Sequence, residues 1–418
     1  MSKYLILVMF ITLSTFSQTN IIKSIEWKGT KRMNTKFMTN FIETKVGSNL
    51  DILVIKRDIA ALTRLNGVSN VTYETKPISN FECDIFFTVI ENFSILPNLN
   101  LWTTNEAAAA YRIGIYDYNF LGKNNTIGGF YQYNGVSSFG FNFSAPYLFS
   151  TNLGIETNYQ KLASIEPIFI NKLPSLFEYT NTGFELLGVY RFNDKNAIKL
   201  GASVFDEKYS YKSGITVTDV PQLFEVRKTL FKGNYLYNNV AFDFYLTSGF
   251  KSNLFAQLVT TKNKFQDNFV IVWNDFTYYK RFNNTGNWAT RLRLGLSSNS
   301  ESPFAPFSLD NNLNLRGVGN IIDRGTGTIV LNTEFRNTLY EKKWFVLQGN
   351  AFVDSGSWRT PGKNLSDFAN ADNFRVYTGL GLRFIHKTIF NATFRIDYGY
   401  GITKNASKGL VFGIGQYF

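Results

Sequence analysis

The feature that most constrains the fold is a strict alternation of apolar and polar residues, repeated along the chain. In residues 394–402, one set of positions is aromatic or aliphatic and the intervening positions carry Arg, Asp and Gly. Residues 374–384 and 409–418 alternate in the same way. Successive side chains of a strand point to opposite sides, so each segment predicts a strand with one apolar face. A transmembrane β-barrel needs such strands, because lipid contacts its outside and water or polar groups its inside.

The aromatic content also favours a wall in contact with lipid. Of 418 residues, 17% are aromatic, including 41 Phe and 23 Tyr. A water-soluble protein would have difficulty burying so many rings, whereas a barrel places them on its lipid-facing surface and in girdles at both interfaces. Backbone groups in lipid must pair with one another, so alternating strands can cross only as a closed barrel. We therefore predict a mainly β fold, a transmembrane antiparallel β-barrel.

The N-terminal residues have the pattern of a secretory signal peptide. Lys3 gives a positive start, residues 4–16 are mostly apolar, and Ser17 provides a small residue at a plausible cleavage site. The apolar run is shorter than the roughly 20 residues that span a bilayer as a helix. We predict a signal peptide at residues 1–17, with a retained N-terminal anchor as the alternative.

Residues 18–95 differ from the rest of the chain and predict a small α+β domain. A short strand at 21–27 is followed by two helices, one capped by Asn34 and one capped by Asp51. In the second helix, apolar residues recur at spacings of three and four. Two further strands, at 68–75 and 81–91, complete the order β-α-α-β-β.

The remaining segment, residues 96–418, contains only strand-like stretches separated by turns rich in Asn, Gly, Ser and Lys. Pro97 marks its beginning. At about 10 residues per tilted strand plus turns, roughly 12 to 18 strands would fit this length. The alternation predicts the barrel but leaves the strand number open.

The charge pattern argues against a nucleic-acid partner. The chain has 43 Lys and Arg against 31 Asp and Glu, a formal charge of +12. The basic residues are dispersed and often alternate with apolar ones, as in residues 291–294. A basic helix or a zinc pattern does not occur. We therefore expect these cations to face the lumen or the membrane interface.

The sequence offers little for catalysis or for binding a cofactor. Cys83 is the only cysteine and His386 the only histidine, so a disulfide within the chain and a histidine-based metal cluster are both excluded. The G-x-S-x-G motif of serine hydrolases is also missing. We predict that the protein is not an enzyme and has no cofactor or metal site.

Five short motifs follow one another in the barrel segment. They are Leu315-Arg316-Gly317, Leu331-Asn332-Thr333-Glu334-Phe335-Arg336, Phe352-Val353-Asp354-Ser355-Gly356-Ser357-Trp358, Gly379-Leu380-Gly381-Leu382-Arg383-Phe384 and Phe394-Arg395-Ile396-Asp397-Tyr398-Gly399. In this order they resemble the BamA/TamA superfamily of outer-membrane assembly proteins. The resemblance implies a barrel of about 16 strands, and it implies that the α+β domain is a POTRA domain in the periplasm.

The same resemblance assigns roles to particular residues. Leu315, Arg316 and Gly317 would form the tip of the sixth extracellular loop, which folds back into the lumen. There Arg316 would pair with Asp354, with Glu334 nearby, because a guanidinium suits a carboxylate bidentately. This loop latch would have a structural or gating role.

A second group of residues belongs to the seam between the first and last barrel strands. We expect the last strand to place Leu410, Phe412, Ile414 and Phe418 on the lipid side and Tyr417 on the other, and residues 112–116 to lie in the first strand. Phe412, Ile414, Tyr417 and Phe418 would form this seam and the C-terminal signal. A weak seam could template incoming strands through its exposed edges.

These observations favour an outer-membrane protein assembly or translocation factor of a Gram-negative bacterium. The alternatives are a dedicated secretion pore or a lipid-handling channel for a single partner, and a dimerising scaffold. Expected partners are the outer-membrane lipid bilayer, client polypeptides and periplasmic or lipoprotein subunits. The oligomeric state is left open, and a homodimer is one of the alternatives. The chain has room for one POTRA domain, whereas better-known members of the family carry several.

Overall fold

A computed structural model describes residues 20–102, 110–170, 173–216, 221–243, 245–261, 267–301, 305–310, 314–318, 323–386 and 393–418. The predicted signal peptide, residues 1–17, lies outside the described residues. The described chain forms a small α/β unit, residues 20–91, followed by a closed β-barrel.

The α/β unit follows the predicted order of elements. It comprises β1 Ile21–Lys28, α1 Thr35–Phe41, α2 Ile52–Leu62, β2 Val68–Pro77 and β3 Glu82–Glu91. β3 is the central strand, parallel to β1 and antiparallel to β2. Asn34 caps α1 by accepting a hydrogen bond from the Phe37 N–H, and Asp51 caps α2 by accepting one from the Leu53 N–H. Both predicted helix caps are therefore confirmed.

The core of the α/β unit lies between its helices and one face of its sheet. Ile55 and Leu62 of α2 are fully buried against Ile85 and Phe87 of β3. Cys83 of the same strand is buried beside them, and burial raises the pKa of its thiol. This free cysteine therefore acts as a core residue.

The barrel wall has 16 strands in the described residues, when the short β12 is counted as a continuation of β11. The strands are β4 Ile95–Trp102, β5 Ala110–Phe120, β6 Asn125–Tyr133, β7 Ser137–Ala145, β8 Leu153–Ile170, β9 Leu173–Arg191, β10 Asn196–Gly214, β11 Leu223–Asn238, β12 Ala241–Asp243, β13 Leu246–Thr261, β14 Phe269–Phe282, β15 Gly286–Ser297, β18 Gly327–Glu341, β19 Phe345–Arg359, β20 Phe374–His386, β21 Thr393–Gly401 and β22 Lys408–Ile414. All neighbours are antiparallel, and β22 closes the barrel against β4. Two further short strands, β16 Phe307–Ser308 and β17 Arg324–Gly325, pair within the loop between β15 and β18.

The alternating apolar and polar residues of each strand lie on the two faces of this wall. In β18, Ile329, Leu331 and Phe335 are exposed on the outside, whereas Glu334 and Arg336 are buried on the inside. In β21, likewise, Phe394 and Tyr398 are exposed, whereas Arg395 and Asp397 are buried. The predicted apolar exterior and polar interior are thus confirmed, as is the closed barrel.

The four strands β8 to β11 are longer than a membrane crossing requires. They contain 18, 19, 19 and 16 residues, against about 9–11 for a tilted transmembrane strand. Their outer face changes from apolar residues such as Phe184 and Val204 to charged pairs, among them Arg227 with Asp206. The charged end of these strands therefore projects into water.

The α/β unit contacts the turns at one end of β5 to β10. Arg32 bonds to Asp117 of β5 at 2.9 Å, and the Asn66 N–H donates to Asn124 at 2.7 Å. Tyr147, in the turn after β7, packs on the rings of Phe37 and Phe41, with centroids 6.0 and 5.1 Å apart. These contacts hold the unit against one half of the barrel rim.

Among the described residues, no helix is long and apolar enough to cross a membrane.

Candidate functional site in the barrel lumen

The loop between β15 and β18 folds into the barrel. Leu309, Leu315 and Val318 of this loop are buried against Val330, Trp358 and Tyr377 of the wall. Asn314 links the loop to two wall strands, since its side-chain oxygen accepts from Arg291 at 2.9 Å and its main-chain oxygen accepts from Asn332 at 2.7 Å. The tip of the loop is therefore fixed by apolar packing and by hydrogen bonds.

Arg316, at the tip of this loop, lies fully buried in the lumen. Its Nε and Nη2 donate to the two carboxylate oxygens of Asp354 at 2.8 and 2.9 Å, and its main-chain N–H donates to Oδ2 at 3.0 Å. Nη1 donates to Glu334 at 2.5 Å. The structure thus brings together Arg316, Glu334 and Asp354 in the geometry of a bidentate charge pair with a second carboxylate.

Two aromatic rings complete the surroundings of the Arg316 guanidinium. The ring centroid of Phe352 lies 3.6 Å from its Cζ, and that of Tyr417 lies 4.6 Å away. A cation is attracted to the face of an aromatic ring, most strongly where water is excluded. Phe352 and Tyr417 therefore stabilise the same charge that the carboxylates bind.

Further charged residues from the wall extend this cluster. Arg383 bonds to Asp397 at 2.8 Å and lies 3.6 Å from Glu334, and Arg336 also bonds to Glu334. Each of these side chains is almost completely buried. The sequence motifs contain Arg336, Arg383 and Asp397, but we assigned them no role. Their positions on the lumen face of the same strands as Glu334 and Asp354 are the signal that could have found them.

Close backbone approach at Gly317 and Gly399 lets the loop reach the wall. Gly317 has φ +105°, a conformation that residues with a Cβ rarely adopt. A Cβ placed on Gly399 of β21 would lie 2.9 Å from the Gly317 nitrogen and would overlap the Arg316 carbonyl. The two glycines are thus required by the contact between loop and wall.

The seam between β22 and β4 is short in the described residues. Among the described residues its ladder joins Val411 to Trp102, Phe412 to Leu101 and Gly413 to Asn100, and residues 95–99 of β4 have no partner in β22. On its other side β4 pairs with β5 along its whole length, through eight residue pairs. The first strand of the barrel is therefore β4, and the prediction that residues 112–116 lie in the first strand is wrong, because they belong to β5.

The residues after β22 depart from the predicted alternation. Phe412 and Ile414 lie in the strand on the expected side, but the strand ends at Ile414. Gly415, with φ +94°, turns the chain, and Tyr417 is buried beside Arg316. The Phe418 main-chain oxygen lies 3.5 Å from Arg336, and its ring lies over the same guanidinium. The prediction that Phe418 faces lipid with Phe412 and Ile414 is wrong, because the turn at Gly415 takes it into the lumen.

The opposite half of the lumen contains a cavity of about 440 Å³. Polar side chains dominate its lining, including Asn142, Asn158, Gln160, Glu185 and Lys232. Glu185 bonds to Asn158 at 3.0 Å and also pairs with Lys232. The loop therefore fills one side of the barrel and leaves a polar space along β5 to β11.

An Omp85 superfamily domain matches residues 119–418, which is more than half of the chain. The chain belongs to the Omp85 superfamily. This finding confirms the resemblance to the BamA/TamA group, and an Omp85 barrel belongs in the outer membrane of Gram-negative bacteria. No curated protein matches the chain significantly.

Solved structures share the fold over nearly the whole chain. BamA from Haemophilus ducreyi lacking POTRA domains 1–3 is 16% identical, with 94% of this chain and 84% of that chain covered and a TM-score of 0.60. CdiB from Acinetobacter baumannii is 10% identical, with coverages of 96% and 74% and a TM-score of 0.62. CdiB from Escherichia coli is 11% identical, with coverages of 96% and 77% and a TM-score of 0.61.

Proposed function

We propose that this Omp85 barrel inserts or exports client proteins at the outer membrane, and that it does so without enzymatic chemistry. The observation that supports this proposal best is the short seam between β22 and β4. In the described part of β4, residues 95–99 pair with β5 but with no residue of β22. One edge of the barrel is thereby left for another strand.

The physical reason concerns the backbone groups of that edge. Lipid offers no hydrogen-bond partner, so an unpaired strand edge in the bilayer is unfavourable. An incoming strand that pairs with the edge satisfies these groups by β-augmentation. Each backbone hydrogen bond contributes about 0.5–1.5 kcal/mol net, so the three pairs that join β22 to β4 in the described residues can open at a cost that client pairing offsets.

In this proposal the α/β unit is a POTRA domain in the periplasm. Its sheet order leaves one edge of β2, Val68–Pro77, at the outside of the sheet. An extended client segment could pair there before it reaches the seam. Client polypeptides and the lipid bilayer are the proposed partners, together with periplasmic or lipoprotein subunits. The latch formed by Arg316, Glu334 and Asp354 would hold the loop in the lumen while clients assemble at the wall.

A disulfide across the seam tests this function. Leu101 and Phe412 face each other across β4 and β22, so Leu101→Cys with Phe412→Cys, in a Cys83→Ala background, can lock the seam. The matched control, Ile396→Cys with Phe412→Cys, links β22 to its other neighbour, β21. We expect the seam disulfide to abolish the insertion of client barrels into liposomes and the control to leave it intact. Normal insertion through a locked seam would refute the proposed mechanism.

A dedicated secretion pore, or a lipid-handling channel, is the second candidate. The polar cavity along β5 to β11 favours it, because the cavity offers the beginning of a path once the loop moves. Deletion of the gene followed by a survey of outer-membrane and secreted proteins separates the two functions. Depletion of many barrels supports assembly, and loss of one secreted protein with normal barrels supports a dedicated pore.

A further inference from the structure

A groove of about 560 Å³ lies on the outside of the barrel wall, over β19. Its floor contains the small residues Gly349 and Ala351 of that strand. Larger side chains of β18 and β20 form its two sides, among them Phe335, Leu339, Leu380 and Leu382. Leu339 leans over the floor, since a Cβ on Gly349 would lie 3.1 Å from its Cδ1. We call this feature the outer groove.

The position and width of the outer groove limit what can occupy it. Leu380 and Leu339 are 70% and 58% exposed on the face of the wall that contacts lipid. Adjacent strands lie about 4.8 Å apart, so the backbones of β18 and β20 are separated by about 10 Å. A helix with its side chains is about 10–12 Å across and cannot enter between the two sides. An extended hydrocarbon chain is narrow enough to lie on the floor.

One end of the outer groove, at Leu339, points to the turn between β18 and β19. A register shift near the end of β18 leaves both Leu339 and Tyr340 exposed. The Lys342 ammonium follows, 5.7 Å from the centre of the Tyr340 ring. Lys343 and Trp344, the next residues of the turn, are also exposed. Basic and aromatic residues of this kind lie at the level of the lipid headgroups.

This turn belongs to the rim that carries the α/β unit, because the strands alternate in direction from β5 onward. Its charges favour an anionic headgroup. Glu341, the acidic residue beside the two lysines, accepts a hydrogen bond from Tyr245 at 2.8 Å. Lys342 and Lys343 extend from the turn and can bind a phosphate. Asn337, exposed beside the groove, offers its amide to the ester oxygens of a lipid.

We propose that the outer groove binds an anionic phospholipid of the leaflet on the side of the α/β unit. One acyl chain lies over Gly349 and Ala351, Asn337 binds the ester oxygens, and Lys342 and Lys343 bind the phosphate. The apolar floor and the basic turn are arranged in the same order as the tail and the head of a lipid. This inference concerns the outside of the wall and goes beyond the proposed function.

Native mass spectrometry of the full chain in detergent, titrated with phosphatidylglycerol or phosphatidylcholine, tests the headgroup site. We expect one phosphatidylglycerol to bind about tenfold more tightly than phosphatidylcholine, because it carries a net negative charge. Lys342→Gln with Lys343→Gln should remove this preference and leave the binding of phosphatidylcholine unchanged. Lys280→Gln is the control. It removes a lysine that lies over the Phe282 ring at the same rim, two strands from β18, and it should keep the preference.

The groove itself is tested by filling it. Ala351→Leu places a larger side chain on the floor and should weaken the binding of both lipids about tenfold, because the acyl chain loses its place. Ala256→Leu makes the same change at an exposed position of β13, away from the groove, and should bind both lipids like the parent protein.

Photocrosslinking of the parent protein supplies a second measurement if Ala351→Leu fails to fold. Phosphatidylglycerol with a diazirine in its acyl chain, reconstituted with the barrel in liposomes, should label Leu339 and Leu382 in the groove more strongly than Leu254 and Leu258. The latter two leucines are similarly exposed on the outside of β13. Peptide mass spectrometry locates the labels.

Three outcomes would overturn the site. The first is phosphatidylglycerol binding that neither the lysine variant nor Ala351→Leu changes, with labels spread evenly over the wall. The second is a lysine effect without an effect of Ala351→Leu, which would mean charge attraction at the rim only. The third is a dimer that Ala351→Leu dissociates, which would mean that the groove holds a second copy. All these measurements omit the client, so failure of client insertion would refute the proposed function alone.

Discussion

Arg316 and Asp354 are joined by three hydrogen bonds, two from the guanidinium and one from the main-chain N–H of Arg316. The main-chain bond matters because it fixes the loop backbone as well as the side chain. Both residues are fully buried, so removing Arg316 strips Asp354 of all three bonds, whereas removing Asp354 leaves Arg316 with Glu334 but without its bidentate partner. This relationship makes the pair a measurable link between the loop and β19.

Removing either partner should destabilise the barrel strongly. Arg316→Ala and Asp354→Ala should each lower the free energy of unfolding by about 3–5 kcal/mol, since removing one partner of a buried charge pair costs more than the pair contributes. The double variant should add little to either single one. Unfolding of the four proteins in detergent micelles completes the double-mutant cycle, and additive losses would argue against a direct link.

The exposed pair Arg227 and Asp206 is a matched control for that cycle. It has the same bidentate geometry, with distances of 2.8 and 3.1 Å, but both side chains are more than half exposed. Because water screens such pairs, Arg227→Ala should cost less than about 1 kcal/mol. A loss as large as that of Arg316→Ala would mean that burial does not explain the difference.

Gly399→Ala should displace the loop without removing any charge. The new Cβ would overlap the carbonyl of Arg316 and lie close to the Gly317 nitrogen. Because Asp354 holds the arginine, these backbone groups cannot shift by themselves, and the clash should move the loop as a whole away from the wall. We expect trypsin to cleave after Arg316 in this variant and to spare the parent protein. Gly188→Ala is the control, because its Cβ would meet only the Leu200 oxygen at 3.7 Å. Equal protection in both variants would show that the loop does not need this close approach.

The docking of the α/β unit should depend more on Tyr147 than on Arg32. The Tyr147 ring contacts two aromatic rings of the unit, each pair contributing about 0.5–1.5 kcal/mol beyond its buried area. The ion pair of Arg32 with Asp117 is partly exposed and contributes about 0–1 kcal/mol. Spin-label distances between unit and barrel should therefore broaden more in Tyr147→Ala than in Arg32→Ala. Phe149→Ala, in the same turn but exposed, should leave them unchanged.

Cys83 should report the unfolding of the α/β unit. The residue is 2% exposed and burial raises the pKa of its thiol, so the reactive thiolate is scarce in the folded unit. We expect maleimide to label Cys83 slowly in the native protein at neutral pH and quickly once urea unfolds the unit. Rapid labelling of the native protein would show that β3 opens locally.

The sequence alone determined the wall of the barrel and the elements of the α/β unit. The alternation of apolar and polar residues decides which side of a strand faces lipid; Leu331, for example, is exposed and Glu334 is buried. Local sequence is enough for this, because successive side chains of a strand point to opposite sides whatever its neighbours are. The helix caps Asn34 and Asp51 act on backbone groups two or three residues away, so local sequence suffices to find them.

Only the tertiary structure decided which residues surround Arg316 and where the last strand ends. Asp397 of β21 and Tyr417, which follows β22, reach the cluster from parts of the chain that are distant in sequence, and their contacts depend on where the neighbouring strands place them. Alternation continues through Ile414 and would carry Phe418 to the lipid side. The turn at Gly415 and the arginines of the lumen outweigh that local pattern. Buried charges attract aromatic rings and polar groups, and the alternation of apolar and polar residues does not show which rings will lie near which charges.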